Sequence, residues 1–299
     1  MTTKKNKTVS LVLGSGGARG LAHVGVIRWL EKNGYKIISI SGCSIGAIIG
    51  GVYAAGKLNE FEEWALAITK IEMLKLLDAS WQKDGLVKGD KIINSLIELV
   101  GDVMIEDLPI KYTAVAADII NEKEVWMNSG RLFDAIRASM SLPLFFTPFN
   151  YKGINLLDGG ILNPVPIAPT FNDESDFIIA VNLGGPRDVT KKVKVDNQEV
   201  NKESSALTDK LSAFIDKFKG ESSVKANKEW GAYEIVNSAF DAMQTTIARQ
   251  KLAAYPPDYY VEIASNACGI LEFDLASEMI ELGYQKAEDS LSKIPTDAA

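Results

Sequence analysis

Ser44 stands at the centre of Gly42-Cys43-Ser44-Ile45-Gly46, a G-x-S-x-G pentapeptide between an apolar run, IISISG, and a helix-forming run, AIIGGVYAAG. In that context the small flanking residues allow a sharp turn, so the spacing predicts a nucleophile elbow with the Ser44 hydroxyl raised off a sheet. The start of the following helix would bring free N–H groups and positive dipole to a developing oxyanion. A helix-capping serine in a Gly-rich turn is the plainer alternative. Upstream, Gly14 to Gly20 reads GSGGARG. Arg19 stands where a dinucleotide fingerprint needs its third glycine, and the Gly-Lys-Ser/Thr of a nucleotide loop is missing. What remains is a row of unhindered N–H groups at Gly16, Gly17 and Ala18, suited to an oxyanion. Arg19 adds a fixed charge for a lipid phosphate or for a carboxylate partner.

The base is constrained by a count. A Ser-His-Asp triad on an α/β-hydrolase fold needs its histidine after the serine and the acid, whereas the one histidine here, His23, precedes both. It falls among the apolar residues of the first predicted helix and reads as a packed or hydrogen-bonded side chain. A carboxylate is the substitute, provided burial raises its basicity. Asp158 is the best candidate: it closes the extended run INLL, and Gly159-Gly160 behind it permit a tight turn. Asp118 and Asp176 also flank strands but lack such a turn, and a turn-capping Asp-Gly is the plain alternative for Asp158. Cys43, beside the elbow, is expected to face the core. Leu144, Phe145, Phe146 and Phe149 suit either core packing or an acyl channel.

The elements that must position these residues follow from periodicity. TVSLVL predicts a strand, LAHVGVIRWLEKNG a helix closed by Gly34, IISISG a second strand and AIIGGVYAAG a second helix. Strands alternating with helices imply a parallel sheet covered by helices. Residues 60–106 read as a helical insertion, FEEWALAITKIEMLKLL and DKIINSLIELVGD around SWQKDGLVKG, placed as a lid or wall. Strands are predicted at YTAVAADI, KEVWM, INLLDGG, FIIAVNLGG and YYVEI. Helices are predicted at RLFDAIRASM, near 230–253, and from Leu275 to about Leu291. The stretch 187–228 is charged around one amphipathic piece, LTDKLSAFIDKF, and is expected to be extruded.

The composition is ordinary for a globular chain: 299 residues, 46% hydrophobic, 24% charged. A net charge of −7 argues against nucleic acid as a partner. Two cysteines far apart exclude a disulfide framework, and no signal-peptide core or long uncharged span develops. A cytoplasmic protein is expected, with any peripheral membrane contact resting on the 60–106 helices or on LSAFIDKF. No metal or other cofactor is expected.

Together these motifs resemble the patatin-like phospholipase family, in its bacterial branch related to the catalytic domain of neuropathy target esterase. The resemblance spans nearly the whole chain and rests on GSGGARGLAHVGVIRWLEKNG, SGCSIGAIIGGVYAAGK, GLVKGDKI, EDLPI, SGRLFDAIRASMSLP, LLDGGILNPVPI and LASEMIELGYQKA. It implies one three-layer α/β domain over 1–299, a mostly parallel sheet with helices on both faces. It also implies a dyad of Ser44 and Asp158, with an oxyanion loop at Gly16, Gly17 and Ala18 completed by Arg19 and Gly20. The implied activity is hydrolysis of phospholipid, lysophospholipid or carboxylic esters through an acyl-enzyme. Ser15 departs from the family's usual glycine. A lipid-sensing protein without catalysis and an acyltransferase or thioesterase remain open alternatives, as do head group and oligomeric state.

Overall fold

The computed structural model describes residues 7–76, 87–143, 145–190 and 232–294. The strands are β1 (Thr8–Leu13), β2 (Lys36–Cys43), β3 (Lys111–Asp118), β4 (Lys123–Met127), β5 (Phe149–Tyr151), β6 (Ile154–Asp158), β7 (Phe177–Gly185) and β8 (Tyr259–Ala264). The helices are α1 (Ala22–Lys32), α2 (Ile45–Ala54), α3 (Leu58–Ala67), α4 (Lys70–Leu76), α5 (Asp90–Val100), α6 (Leu132–Ser139), α7 (Ala232–Ala254) and α8 (Ala276–Leu291). The strands form one sheet in the order β5-β6-β3-β2-β1-β7-β8, with β4 also paired to β3. Pairing is parallel from β3 through β8 and antiparallel where β4, β5 and β6 join. The α/β fold with a mostly parallel sheet flanked by helices is therefore as the sequence implied.

The central strands are continuous apolar runs because both of their faces are covered. Successive side chains go to opposite sides: Leu11, Leu13, Ile179 and Val181 enter the larger core, whereas Val12 and Ala180 enter a smaller one with Val165, Ile167 and Ala248 of α7. The larger core holds α1, α2, α6 and α8.

Two local features differ from the sequence reading. The helix expected without a break from Phe61 to Leu77 is interrupted at Ile68, which is extended at φ −70° and ψ 123°. Thr69 and Glu72 explain the break, since they exchange side-chain and backbone hydrogen bonds as a capping box that starts α4 afresh. Strand β5 was not foreseen. It pairs with β6 around Lys152-Gly153, both at positive φ (51° and 87°), as a two-residue hairpin turn requires. The predicted segment 187–228 lies, beyond residue 190, outside the described residues.

The register of β3 is what builds the site. Along Ala114 to Asp118 one edge of β3 is taken by β4. So β2 and β6 must share the other edge. β2 pairs there as far as Cys43 opposite Val115, and β6 begins with Asp158 opposite Ala116. The elbow residue and Asp158 thus leave the sheet at adjacent positions along one strand, although they lie 114 positions apart in sequence.

Candidate active site

Ser44 follows β2 directly and precedes α2, with φ 56° and ψ −121°. That backbone is strained for a residue with a side chain, by about 1–3 kcal/mol. The turn closes because a Cβ on Gly46 would lie 2.1 Å from the Leu13 carbonyl oxygen, and one on Gly42 2.4 Å from that of Gly46. Only glycine fits either place. Ser139, at the end of α6, pins the elbow: the Ser44 N–H donates to Ser139 Oγ (2.9 Å), and the Ser139 hydroxyl donates to the Val115 carbonyl (2.6 Å). Two residues on, the Ser141 carbonyl accepts the Asp158 N–H (2.9 Å).

Asp158 is fully buried. Its Oδ1 accepts the Gly160 N–H (2.8 Å) and lies 3.8 Å from Cys43 Sγ, while Oδ2 has no fully formed hydrogen bond among the described residues. Burial pushes its pKa up to about 6, and the Ser44 hydroxyl, the Gly160 N–H and Cys43 act in the opposite direction by favouring the charged form. The Asp-Gly turn cap is real, yet it leaves one carboxylate oxygen uncommitted next to Ser44. The other two candidate acids are committed elsewhere. Asp118 accepts from the Ile120 and Asn121 N–H groups and the Asn121 side chain, and Asp176 accepts from the Thr8 N–H and hydroxyl.

His23 is buried in α1 with Nε2 2.9 Å from the Gly14 carbonyl, which makes Nε2 the protonated nitrogen. Burial lowers its pKa to about 4, against the opposing pull of that carbonyl. It is a neutral support under the glycine loop, as its place in the first helix suggested. Cys43 is also buried, and burial together with the Asp158 charge pushes its thiol well above the ordinary range. It is no rival nucleophile.

Two expectations for the glycine loop are corrected. The Ala18 N–H donates to the Ile270 carbonyl (2.9 Å), so this donor is already used. The Gly16 and Gly17 N–H groups make no hydrogen bond among the described residues. Arg19 is not at a ligand surface, and of its two expected partners it takes the carboxylate: it is buried, its Nε donates to the Gly16 carbonyl (3.0 Å), its Nη1 to the Ser265 carbonyl (2.9 Å), and its Nη2 lies 3.9 Å from Asp241. A guanidinium has fixed donor directions, and here they are used to shape the loop.

An apolar cavity opens on Ser44 and on the loop at Ser15, Gly16 and Gly17. Phe61 and Trp64 of α3, Ile92 and Leu96 of α5, and Phe145 and Phe146 wall it, so the helical insertion is a wall of the site. Phe149 does not line it; its ring lies 5.9 Å from the Arg137 guanidinium. Leu144 is outside the described residues. Asp158 does not line the cavity; it comes nearest to the wall at Gly160, beside Ser15 and Gln244. Sequence reasoning passed over Ser139, Ser141 and Gln244 of α7. The first two left a faint signal, small polar residues closing an apolar helix before Pro143, whereas Gln244 is one polar residue among many on a long helix.

The comparisons with known proteins agree with one another. A model of the patatin-like phospholipase family matches residues 11–171. An "uncharacterized NTE family protein" of Mycobacterium bovis is 36% identical over 97% of this chain and 92% of its own length, and one of Mycobacterium tuberculosis matches equally well. Lysophospholipase NTE1 of Debaryomyces hansenii is 35% identical over 62% of this chain, which corresponds to 12% of that protein. With the family model covering more than half the chain and full-length relatives at this identity, the chain belongs to the patatin-like phospholipase family.

Proposed function

We propose that the protein is a serine acyl hydrolase that cleaves the fatty-acyl ester of a lysophospholipid or phospholipid, with Ser44 as nucleophile and Asp158 as base. The observation that carries this reading is the position of Ser44, on a strained elbow facing an apolar cavity with a buried carboxylate behind it.

In the proposed reaction Ser44 Oγ attacks the ester carbonyl and its proton passes to Asp158. The Gly16 and Gly17 N–H groups and the N-terminus of α2 hold the oxyanion. The carbon–oxygen bond to the lipid backbone then breaks, and the leaving oxygen takes the proton from Asp158. Water next attacks the acyl-Ser44 ester, Asp158 accepts its proton, the bond to Ser44 breaks, and Ser44 recovers the proton as the fatty acid departs.

The apolar wall favours a long acyl chain, because each methylene buried there gains about 0.8 kcal/mol. One such cavity suits one chain, and lysophospholipase is the named activity of the yeast relatives, so a lysophospholipid is the preferred substrate. We place the protein in the cytoplasm with peripheral contact to lipid through exposed Leu66 and Ile71, which lie on the helices walling the cavity. Among the described residues no helix is long and apolar enough to cross a membrane.

The test is fatty acid release from lysophospholipid micelles, together with covalent labelling by a fluorophosphonate. Release should rise with pH through about 6 as Asp158 ionises. Ser44→Ala should lose both release and labelling. Retained release in that variant would end the proposal.

A further inference from the structure

The polar side chains on the cavity wall are few. Among the described residues they are, apart from the Trp64 indole, Ser15, Ser44 and Gln244. Gln244 comes from α7, beyond the part of the chain matched by the family model. Its place shows at a glycine. A Cβ on Gly160 would lie 2.3 Å from Gln244 Nε2, 2.9 Å from Ser15 Oγ and 3.0 Å from Asp158 Oδ1. The carboxamide, the Ser15 hydroxyl and the proposed base therefore converge on one backbone position, which has no side chain to keep them apart.

The carboxamide is only lightly held there. Nε2 makes a long contact of 3.4 Å to Ser15 Oγ, and Oε1 has no hydrogen bond among the described residues. A glutamine half-buried at the polar end of an apolar cavity, with its acceptor oxygen free, is matched to a small O–H donor. At the reacting atoms the acylation step brings no such donor, because the ester's two oxygens only accept and the free glycerol hydroxyl of a lysophospholipid departs with the leaving alcohol. The second step does.

The geometry points to Gln244 as the residue that holds the acyl acceptor, the water that attacks the acyl-Ser44 ester. Water gives one O–H to Gln244 Oε1 and the other to Asp158, so that its oxygen faces the acyl carbon. As the oxygen–carbon bond forms, the second proton moves to Asp158, the acyl carbon releases Ser44 Oγ, and that oxygen takes the proton back. Gln244 gains and loses nothing; it fixes orientation. This rests on the Ser44 and Asp158 reading above.

The experiment separates the two half-reactions with a p-nitrophenyl fatty-acyl ester at pH 8, where Asp158 is charged. Wild type, Gln244→Leu and Gln244→Glu are followed through burst and steady state, and the acyl-enzyme is weighed by intact mass spectrometry. Gln244→Leu should keep a burst of about one nitrophenol per chain while steady-state turnover falls at least about tenfold and acyl-Ser44 accumulates. Gln244→Glu keeps an acceptor oxygen in place and should recover much of the turnover. Should Gln244→Leu fail to fold, the near-isosteric Gln244→Met carries the same expectation. Unchanged steady-state turnover, or burst and turnover falling together in a folded variant, would overturn the assignment of Gln244. If fluorophosphonate labels Ser44 in wild type and those results are found, the failure is of Gln244 alone. Absence of wild-type labelling would overturn the underlying Ser44 reading and the acceptor role with it.

Discussion

At the scale of single residues, two buried titratable groups pull stability in opposite directions with pH. Asp158 is shifted from 3.8 to about 6, so the folded state holds its proton longer than the unfolded chain, and stability is lost as pH rises through that window. His23 is shifted from 6.5 to about 4, so the folded state resists its proton, and stability is lost as pH falls through that window. Each shift is of order 3 kcal/mol at about 1.4 kcal/mol per unit. Between about pH 4 and 6 they offset one another. Asp158→Asn removes one of the two slopes, since the amide oxygen still accepts from Gly160. Urea unfolding should find this variant about as stable as wild type near pH 4 and more stable at pH 7.5, by up to about 3 kcal/mol. An equal difference at both pH values would contradict the burial argument. The absence of a triad was legible from the position of one histidine. The fates of Arg19 and Ala18 were not, because their partners, Ser265, Asp241 and Ile270, come from the far end of the chain. Residue type shows that a donor exists but not where it is used.

At the scale of elements, the site depends on one strand edge and two close helix contacts. Val115 and Ala116 of β3 set Cys43 and Asp158 side by side, and Ser139 at the end of α6 and Ser141 just beyond it then fasten both turns. Strand and helix periods were readable because the apolar runs are long. The sharing of one edge by β2 and β6 was not, since it follows from which edge β4 occupies. The β5 run is too short to show a period. Beneath the glycine loop, α1 and α8 touch backbone to backbone: a Cβ on Gly283 would lie 2.0 Å from the Ala22 carbonyl oxygen, and one on Gly25 1.9 Å from that of Ile280. Gly283→Ala should therefore destabilise by about 1–3 kcal/mol, seen as a lower urea midpoint. An unchanged midpoint would show that the two helices are not seated this closely.

At the scale of the whole molecule, the two faces of the sheet carry different duties. The larger core and the helical insertion make the apolar wall, while α7 on the other face sends Gln244 to the polar end of the same cavity. Both meet at the elbow, where hydroxyl, buried carboxylate and free N–H groups converge without an imidazole. That absence is the central claim, and it separates two variants. Steady-state hydrolysis of a lysophospholipid should be compared in wild type, Asp158→Asn and His23→Gln, with folding checked for each. The account predicts a loss of about 10³-fold in Asp158→Asn, within the range general-base catalysis supplies, and turnover of the wild-type order in His23→Gln. Near-normal turnover in Asp158→Asn, or its collapse in a folded His23→Gln, would contradict it.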